Sequence, residues 1–294
     1  VYEVLRNSKM DSIDFFSNRN GLPLSSFKRN QFGFAAGGPV IRDKLFFYFN
    51  YEALRQRSRG QLNGSVPTAL ERQGNFSQSR QLVGGQCVPV QLFDPNTTRA
   101  NPAGGSVRDA FPNNVIPANR LDGVGSKIVT YFPNPTSAGA ACTGINNFLS
   151  NKSAPSNTNE IDMKYDWVAS AKNKFTAGLG WRSRVDTPPN HYGNLASTNL
   201  TSDNMPARSL RLEYNRSQTP TLLMQGRFGI TRFERYYGAP APADFTLASL
   251  GFPAGLEQQM LKPLGFPVFG FAGHMGMGKS SQYLDQRGTS YTWD

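Results

Sequence analysis

Four charged side chains recur at alternate positions in the run Glu160-Ile-Asp-Met-Lys-Tyr-Asp166: Glu160, Asp162, Lys164 and Asp166. Three carboxylates at that spacing could serve a calcium ion or a general acid–base pair. Calcium, however, takes about six to eight oxygens converging from a bent loop, whereas every-second-residue spacing sets side chains in a row along one face of a strand. With Lys164 among them, the better reading is a polar ladder on the inward face of a sheet. Arg182 falls on the corresponding face of the next segment, and these five residues are the candidates for a ligand path.

Other chemistry-bearing residues are sparser. Gly273 to Ser280 (GHMGMGKS) satisfies the phosphate-binding pattern G-x-x-x-x-G-K-[ST], but a P-loop joins a buried strand to a long helix, and this segment reads as a flexible Gly-rich loop tip. His191 and His274 stand alone in loops, without the Cys/His grouping that zinc requires. No nucleophile has a recognisable base near it, so neither an enzyme nor a cofactor is expected. Cys87 and Cys142 are the two cysteines. Both lie in Gly-rich polar sequence, and we expect them to pair in an oxidising compartment, the alternative being two free thiols. A bridge there would stabilise by roughly 4 kcal/mol in the chain-entropy model.

The elements that must position these residues are strands. In NQFGFAAGGPVIRDKLFFYFNYEALR (30–55), Phe32, Phe34 and Ala36 alternate with polar or small residues. Leu45, Phe47, Phe49, Tyr51 and Ala53 do the same on the return, after a short connection carrying Pro39 and Arg42-Asp43-Lys44. Ile161, Met163, Tyr165 and Trp167 alternate with the charged ladder; Phe175, Ala177, Leu179 and Trp181 alternate with Lys174, Thr176, Gly178, Gly180 and Arg182. A third hairpin sets Leu210, Leu212 and Tyr214 against Leu222, Met224, Phe228 and Ile230. Val1 to Arg6 supplies a first strand, and Tyr291 with Trp293 a last one. The count is about eight strands. In the long interval 56–159, Thr68, Glu71 and Gly74 predict one short helix, and Leu121, Val124, Ile128 and Val129 a second from Arg120 to Phe132, ended by Pro133.

Connections alternate strictly between long (after Arg6, Arg55, Val185 and Tyr237) and short (after Val40, Val168 and Gln218). Short turns on one rim and long loops on the other are the habit of antiparallel outer-membrane barrels. Composition agrees. Of 294 residues, 29 are Gly and 20 Pro, gathered between strands, and no apolar run approaches the about 18 residues of a membrane helix. The net charge of +11 comes from singly scattered Lys and Arg, which argues for a solvated surface and polar lining rather than nucleic acid. We therefore expect an all-β protein: a partial antiparallel transmembrane β-barrel, with residues 56–159 as a long extracellular loop. Trp167, Trp181, Tyr165, Tyr214, Tyr291 and Trp293 would form aromatic girdles. A soluble sandwich would instead bury these faces against a second sheet.

The sequence resembles the TonB-dependent receptors of the outer membrane, in particular the large Oar-like group common in acidobacteria. The resemblance rests on VYEVLRN (1–7), on the hairpin at 30–55, on VPTALERQGNFS (66–77), on FDPNT (93–97) and on FPNNVIPANRLDGVGSKIVTYFPNP (111–135). It implies a 22-stranded barrel with an internal plug. This chain would be the first part of that barrel, truncated at both ends, the plug preceding Val1. It also implies import of a ligand captured by extracellular loops, carbohydrate or peptide, energised by the TonB complex through the plug region. The implied surroundings are outer-membrane lipid and lipopolysaccharide. Two other functions stay open: a surface adhesion or assembly barrel, and a secreted all-β carbohydrate-binding protein.

Overall fold

The computed structural model describes residues 1–19, 24, 26–198, 200–238, 245–260, 265–278 and 284–294. Eight strands form one sheet: β1 (Tyr2–Asn7), β2 (Phe27–Ile41), β3 (Leu45–Gly64), β4 (Phe148–Ser170), β5 (Asn173–Asp186), β6 (Ser202–Thr219), β7 (Leu222–Gly238) and β8 (Leu284–Trp293). Each pairs antiparallel with its sequence neighbour, and the order in the sheet is the order in the chain. The sheet is open, β1 and β8 forming its two edges. The short connections are tight: Lys44 N–H closes the β2–β3 turn on Ile41 O at 3.1 Å, with Asp43 left-handed at φ 60°. Pro39 is not in that turn. It lies within β2 opposite Phe46, beside a register shift, where a missing N–H is tolerated.

Register sorts the side chains into two faces. Phe47, Tyr165, Ala177, Leu212, Phe228 and Trp293 follow one another across six strands. Toward the turns, Trp167, Phe175 and Tyr214 stack at 5.3 and 4.7 Å between ring centroids; toward the loops, Phe34, Tyr51, Ile161 and Trp181 make the matching row. The opposite face carries Tyr48, Lys164, Gly178, Arg211, Gly229 and Thr292 in one row. Nothing among the described residues covers the apolar face. Trp167 is 51% exposed and Tyr291 58%, and the remaining sheets are two-stranded pieces within loops. A sandwich would have buried these rings. An uncovered apolar band with aromatic rims is the outside of a membrane barrel.

Strands run past the ends that alternation predicts. The interval 56–159 is not all loop: β3 continues to Gly64 and β4 starts at Phe148, with unbroken pairing from Ser58↔Ala154 to Gly64↔Phe148. The apolar pattern stops there because the outward face has left the lipid, while the backbone ladder needs no apolar side chains to continue. For the same reason the loop expected at Val185–Pro206 contracts to 187–201, and the last strand begins at Leu284 rather than beyond Arg287. The helix expected near Arg120–Phe132 is confined to α1 (Gly123–Val129), capped by Asp122, whose carboxylate accepts from Gly125 N–H at 2.6 Å. The one around Thr68 is a single 3-10 turn, Glu71–Gln73, stopped by left-handed Gly74 at φ 78°. Its capping box forms as expected: Glu71 accepts from Thr68 N–H at 2.8 Å, and Thr68 Oγ1 from Glu71 N–H at 3.3 Å.

This two-faced wall makes a direct prediction. Leu212→Arg, in the middle of the apolar row, lowers the stability of the membrane-inserted protein by about 2–4 kcal/mol in a urea titration in lipid bilayers. Thr176→Arg, on the polar face, costs less than about 1 kcal/mol by the same assay, because that face does not meet lipid.

Candidate functional site: a polar wall face beneath packed loops

The polar face contains a groove of about 600 Å³, bordered by Tyr48 and Asn50 of β3, Asp162 and Lys164 of β4, and Arg211, Glu213 and Arg227 of β6 and β7. Arg211 stands between Gly178 and Gly229 in register. A Cβ on either glycine would make ordinary contact with the arginine stem, and one at Gly229 would also meet the Thr292 hydroxyl at 2.6 Å. Charges are mixed and partly matched. Arg227 lies 3.4 Å from Glu213, which also accepts from Asn215 and Gln225 at 2.6 and 3.0 Å.

The five ligand-path candidates do not form one site. Asp162 and Lys164 line the groove. Asp166 sits toward the turns, held by Lys164 at 2.9 Å, Lys174 at 3.4 Å and the Thr176 hydroxyl at 2.7 Å. Glu160 and Arg182 face each other across β4 and β5, in the row of Glu52 and outside the groove's border. Glu52 is occupied by Gln31 and by Tyr2, whose ring lies over Gly33. Sequence reasoning missed Tyr48, Asn50, Arg211, Glu213 and Arg227 as groove residues. Their alternation signal was present, but only the register shows that they share rows with Asp162 and Lys164.

Farther along the strands, three of the four long loops merge into one small core. Val66, Ile128 and Phe132 come from the first loop, Tyr192 and Ala196 from the second, Leu250, Phe266 and Met277 from the third, and Phe148 from the top of β4. All nine residues of this cluster are buried. The core rests on the polar side of the wall: Gly60 and Gly64 lie on that face of β3, and a Cβ at either would meet Pro189 or Met275 at 2.5 Å. Main-chain contacts stitch the loops together, with Met275 N–H donating to Ser65 O, Gly278 N–H to Ala196 O and the Tyr192 hydroxyl to Gly276 O. The loops therefore bend over the polar face.

Polar side chains brace this platform. Buried Asn147 behaves as a strand partner for Val66, accepting its N–H at 2.8 Å and donating to its carbonyl at 2.9 Å. Arg72 donates to the carbonyls of Pro67, Phe132 and Pro133. Asn114, in a left-handed backbone at φ 59°, donates to Phe76 O and Val90 O and accepts from Leu92 N–H. Asp94 takes a two-pronged contact from Arg120, whose hydrogen bond holds the carboxyl below its usual range. The segments around 66–77, 93–97 and 111–135 are thus a loop scaffold. Cys87 and Cys142 are joined, with Cα atoms 5.8 Å apart, tying the hairpin Arg80–Val83/Gln86–Pro89 to the segment just before β4.

Burial disfavours ionising Glu71, yet hydrogen bonds from the Ser79 hydroxyl and from the Thr68 backbone and hydroxyl, with His274 nearby, outweigh it and lower its pKa. His274 stands 4.0 Å from that carboxylate. His191 is buried beside Ser150, 3.1 Å from its hydroxyl, and burial with the charge of Lys152 lowers its pKa. Burial pushes the Tyr192 hydroxyl up to about 12. Among the described residues, no group of three His, Cys, Asp or Glu side chains could hold a metal ion. The described part of the phosphate-loop look-alike forms a hairpin. Gly273, at φ 75°, turns a hairpin between Phe269–Phe271 and His274–Met277 that buries Met277 in the loop core, while Lys279 and Ser280 lie outside the described residues.

Residues 1–294 match the model of a family described as an outer membrane beta barrel domain. No curated protein and no solved structure matches the chain.

The bracing predicts two outcomes. Cys142→Ser removes about 4 kcal/mol from the first loop in the chain-entropy model; limited trypsin digestion then cuts near Arg80 and Arg99, while the wall stays resistant. Acid loosens the platform in two stages. His191 has a lowered folded pKa, so stability falls as the pH drops below about 6.5, where the unfolded chain takes up the proton first. Glu71, also lowered, contributes stability above its unfolded value of about 4.3 that is lost as the pH falls through its folded value. Hydrogen exchange of loop amides between pH 7 and 3.5 reports both stages, and Glu71→Gln abolishes the second.

Proposed function

The chain belongs to the outer membrane beta barrel domain family, resides in the outer membrane, and on that premise we propose that it is barrel wall of a TonB-dependent, plug-gated receptor of the Oar-like group. Its extracellular loops capture a ligand, which then passes along the polar wall face to the periplasm. The supporting observation is the placement of the loop core. Three separate connections pack together on the polar side of the sheet, the same side as a groove lined by Asp162, Lys164, Arg211 and Glu213. Loops that served only to join strands would have no reason to share a core or to lean inward.

The groove's mixed charges and its tyrosine suit a polar ligand carrying both donors and acceptors, a peptide or a carbohydrate. The protein acts by binding and transport and not by catalysis. Coupling to the TonB complex runs through a plug, as the linked motifs at 1–7, 30–55, 66–77, 93–97 and 111–135 imply for this group. A surface adhesion role uses the same braced platform, and the disulfide between Cys87 and Cys142 favours it to the extent that a stiff surface serves attachment.

Energy dependence separates the two. Cells expressing the receptor are given fluorescent peptide and oligosaccharide pools with and without a protonophore. The import reading expects internal label that falls at least about tenfold when the proton-motive force collapses. Surface label indifferent to the protonophore would replace import with adhesion. Lys164→Glu with Arg211→Glu reduces internal label at least about tenfold while leaving the folded barrel's gel mobility unchanged; undiminished uptake would remove the groove from the path.

A further inference from the structure

On the lipid-facing side of β3 the residues read Leu45, Phe47, Phe49, Tyr51, Ala53 and then Arg55, Arg57, Arg59. The change from apolar to cationic falls at the row of Phe32, Ala53 and Asn159. Arg57 lies about 13 Å along the strand from Ala53, at 3.3 Å per residue. These arginines therefore stand where the acyl chains of the outer leaflet give way to headgroups.

Their partners are unusual for arginine. Arg55 donates to Asn159 Oδ1 and Thr158 O at 2.6 Å each, Arg57 to Asn157 Oδ1 at 2.7 Å, and Arg59 to Asn151 Oδ1 at 2.8 Å. Amide and carbonyl oxygens fix the direction of each guanidinium without neutralising it. A guanidinium has five N–H donors, and these contacts leave several unspent. The same outward face of β7 and β8 shows the contrast: Arg232 is paired with Glu234 at 2.6 Å and Arg287 with Asp285 at 2.8 Å. Among the described residues, positive charge is thus left uncompensated at one place on the wall and matched at another.

That place is also concave. Where β2 ends at Phe27, β3 and β4 continue upward alone, and the notch holds a cleft of about 520 Å³. Lys28, Arg57 and Arg59 line it from the outward face together with Ser153 and Asn151, Lys152, the partner of Gly60, borders it from the polar face, and no carboxylate is among the described residues that line it. Lys28 is the direct cross-strand partner of Arg57. Like charges set side by side without a counter-ion are costly unless an anion joins them.

We propose that this cleft binds the phosphorylated sugar headgroup of lipopolysaccharide, its acyl chains lying against Phe32, Phe34, Tyr51 and Ile161. Arginine's planar fork suits a phosphate, and the serine and asparagine groups suit sugar hydroxyls. The lipid-facing side is what selects an embedded glycolipid over a soluble anion. The inference rests on the outer-membrane location and is independent of the import reading, so it stands or falls separately.

The test uses the folded protein in detergent and bisphosphorylated lipid A as probe, read by native mass spectrometry and by titration. The variant Lys28→Gln/Arg57→Gln/Arg59→Gln binds lipid A at least about tenfold more weakly than the unaltered protein, and monophosphorylated lipid A binds the unaltered protein more weakly than the bisphosphorylated form. Arg57→Lys/Arg59→Lys, which keeps the charge, recovers part of the loss, and this variant decides the matter should the first fail to fold. Arg232→Gln leaves binding within about twofold. The proposal is overturned by equal binding of the triple variant, by an equal loss in Arg232→Gln, or by full displacement of lipid A with millimolar inorganic phosphate, which would mark a soluble-anion site.

Discussion

The structure depends on one constraint: a backbone that meets lipid must satisfy its own N–H and C=O groups within the sheet, because the hydrocarbon offers none. Eight strands paired each to its sequence neighbour do this throughout the wall's interior, and everything else follows from which side of that ladder a residue occupies. On one side the row Phe47, Tyr165, Ala177, Leu212, Phe228 and Trp293 is left uncovered; on the other stand Tyr48, Lys164, Arg211 and Thr292. In water this arrangement would expose a large apolar patch and aggregate. In a bilayer it needs no second layer.

Freed from packing a core beneath the sheet, the chain builds its buried core elsewhere. The loops hold it, in a cluster of Val66, Phe132, Tyr192, Leu250 and Met277 that no single loop could form alone. Three sections of chain far apart in sequence must meet there, so the ordering cost is high. The disulfide, the Asn147 bridge to Val66 and the Arg72 contacts oppose that cost. The platform and the polar groove lie on the same side of the sheet, away from the lipid-facing rows.

Much of this was legible in the sequence, and where it was not, the cause is physical. Period-two alternation located every wall strand within the lipid band, since a residue there either faces acyl chains or does not. It failed above the band, at Arg55 to Gly64 and Phe148 to Asn159, because the outward face there has left the lipid while the inward face meets loop residues such as Pro189 and Met275, so no apolar side alternates with a polar one. The capping box of Thr68 and Glu71 and the left-handed Gly74 were readable because they are local. The loop core was not, since Tyr192 and Met277 look like ordinary residues in polar loops until tertiary contacts bring them to Phe148. The groove showed the same limit: Asp162 and Lys164 were found, whereas Arg211 and Glu213 needed the register. The expected ladder of five proved to be a groove pair, a satisfied Asp166 and a separate Glu160–Arg182 neighbour pair.

The central claim, that one face of this sheet meets lipid and the other water, is tested most directly by nitroxide scanning along β4 and β6. Single spin labels at Met163, Lys164, Tyr165, Arg211 and Leu212 are compared in bilayers for collisions with apolar oxygen and with a polar nickel chelate. The account predicts a strict alternation, with oxygen favoured at Met163, Tyr165 and Leu212 and nickel at Lys164 and Arg211. Nickel accessibility at all five positions, or the opposite alternation, would contradict it.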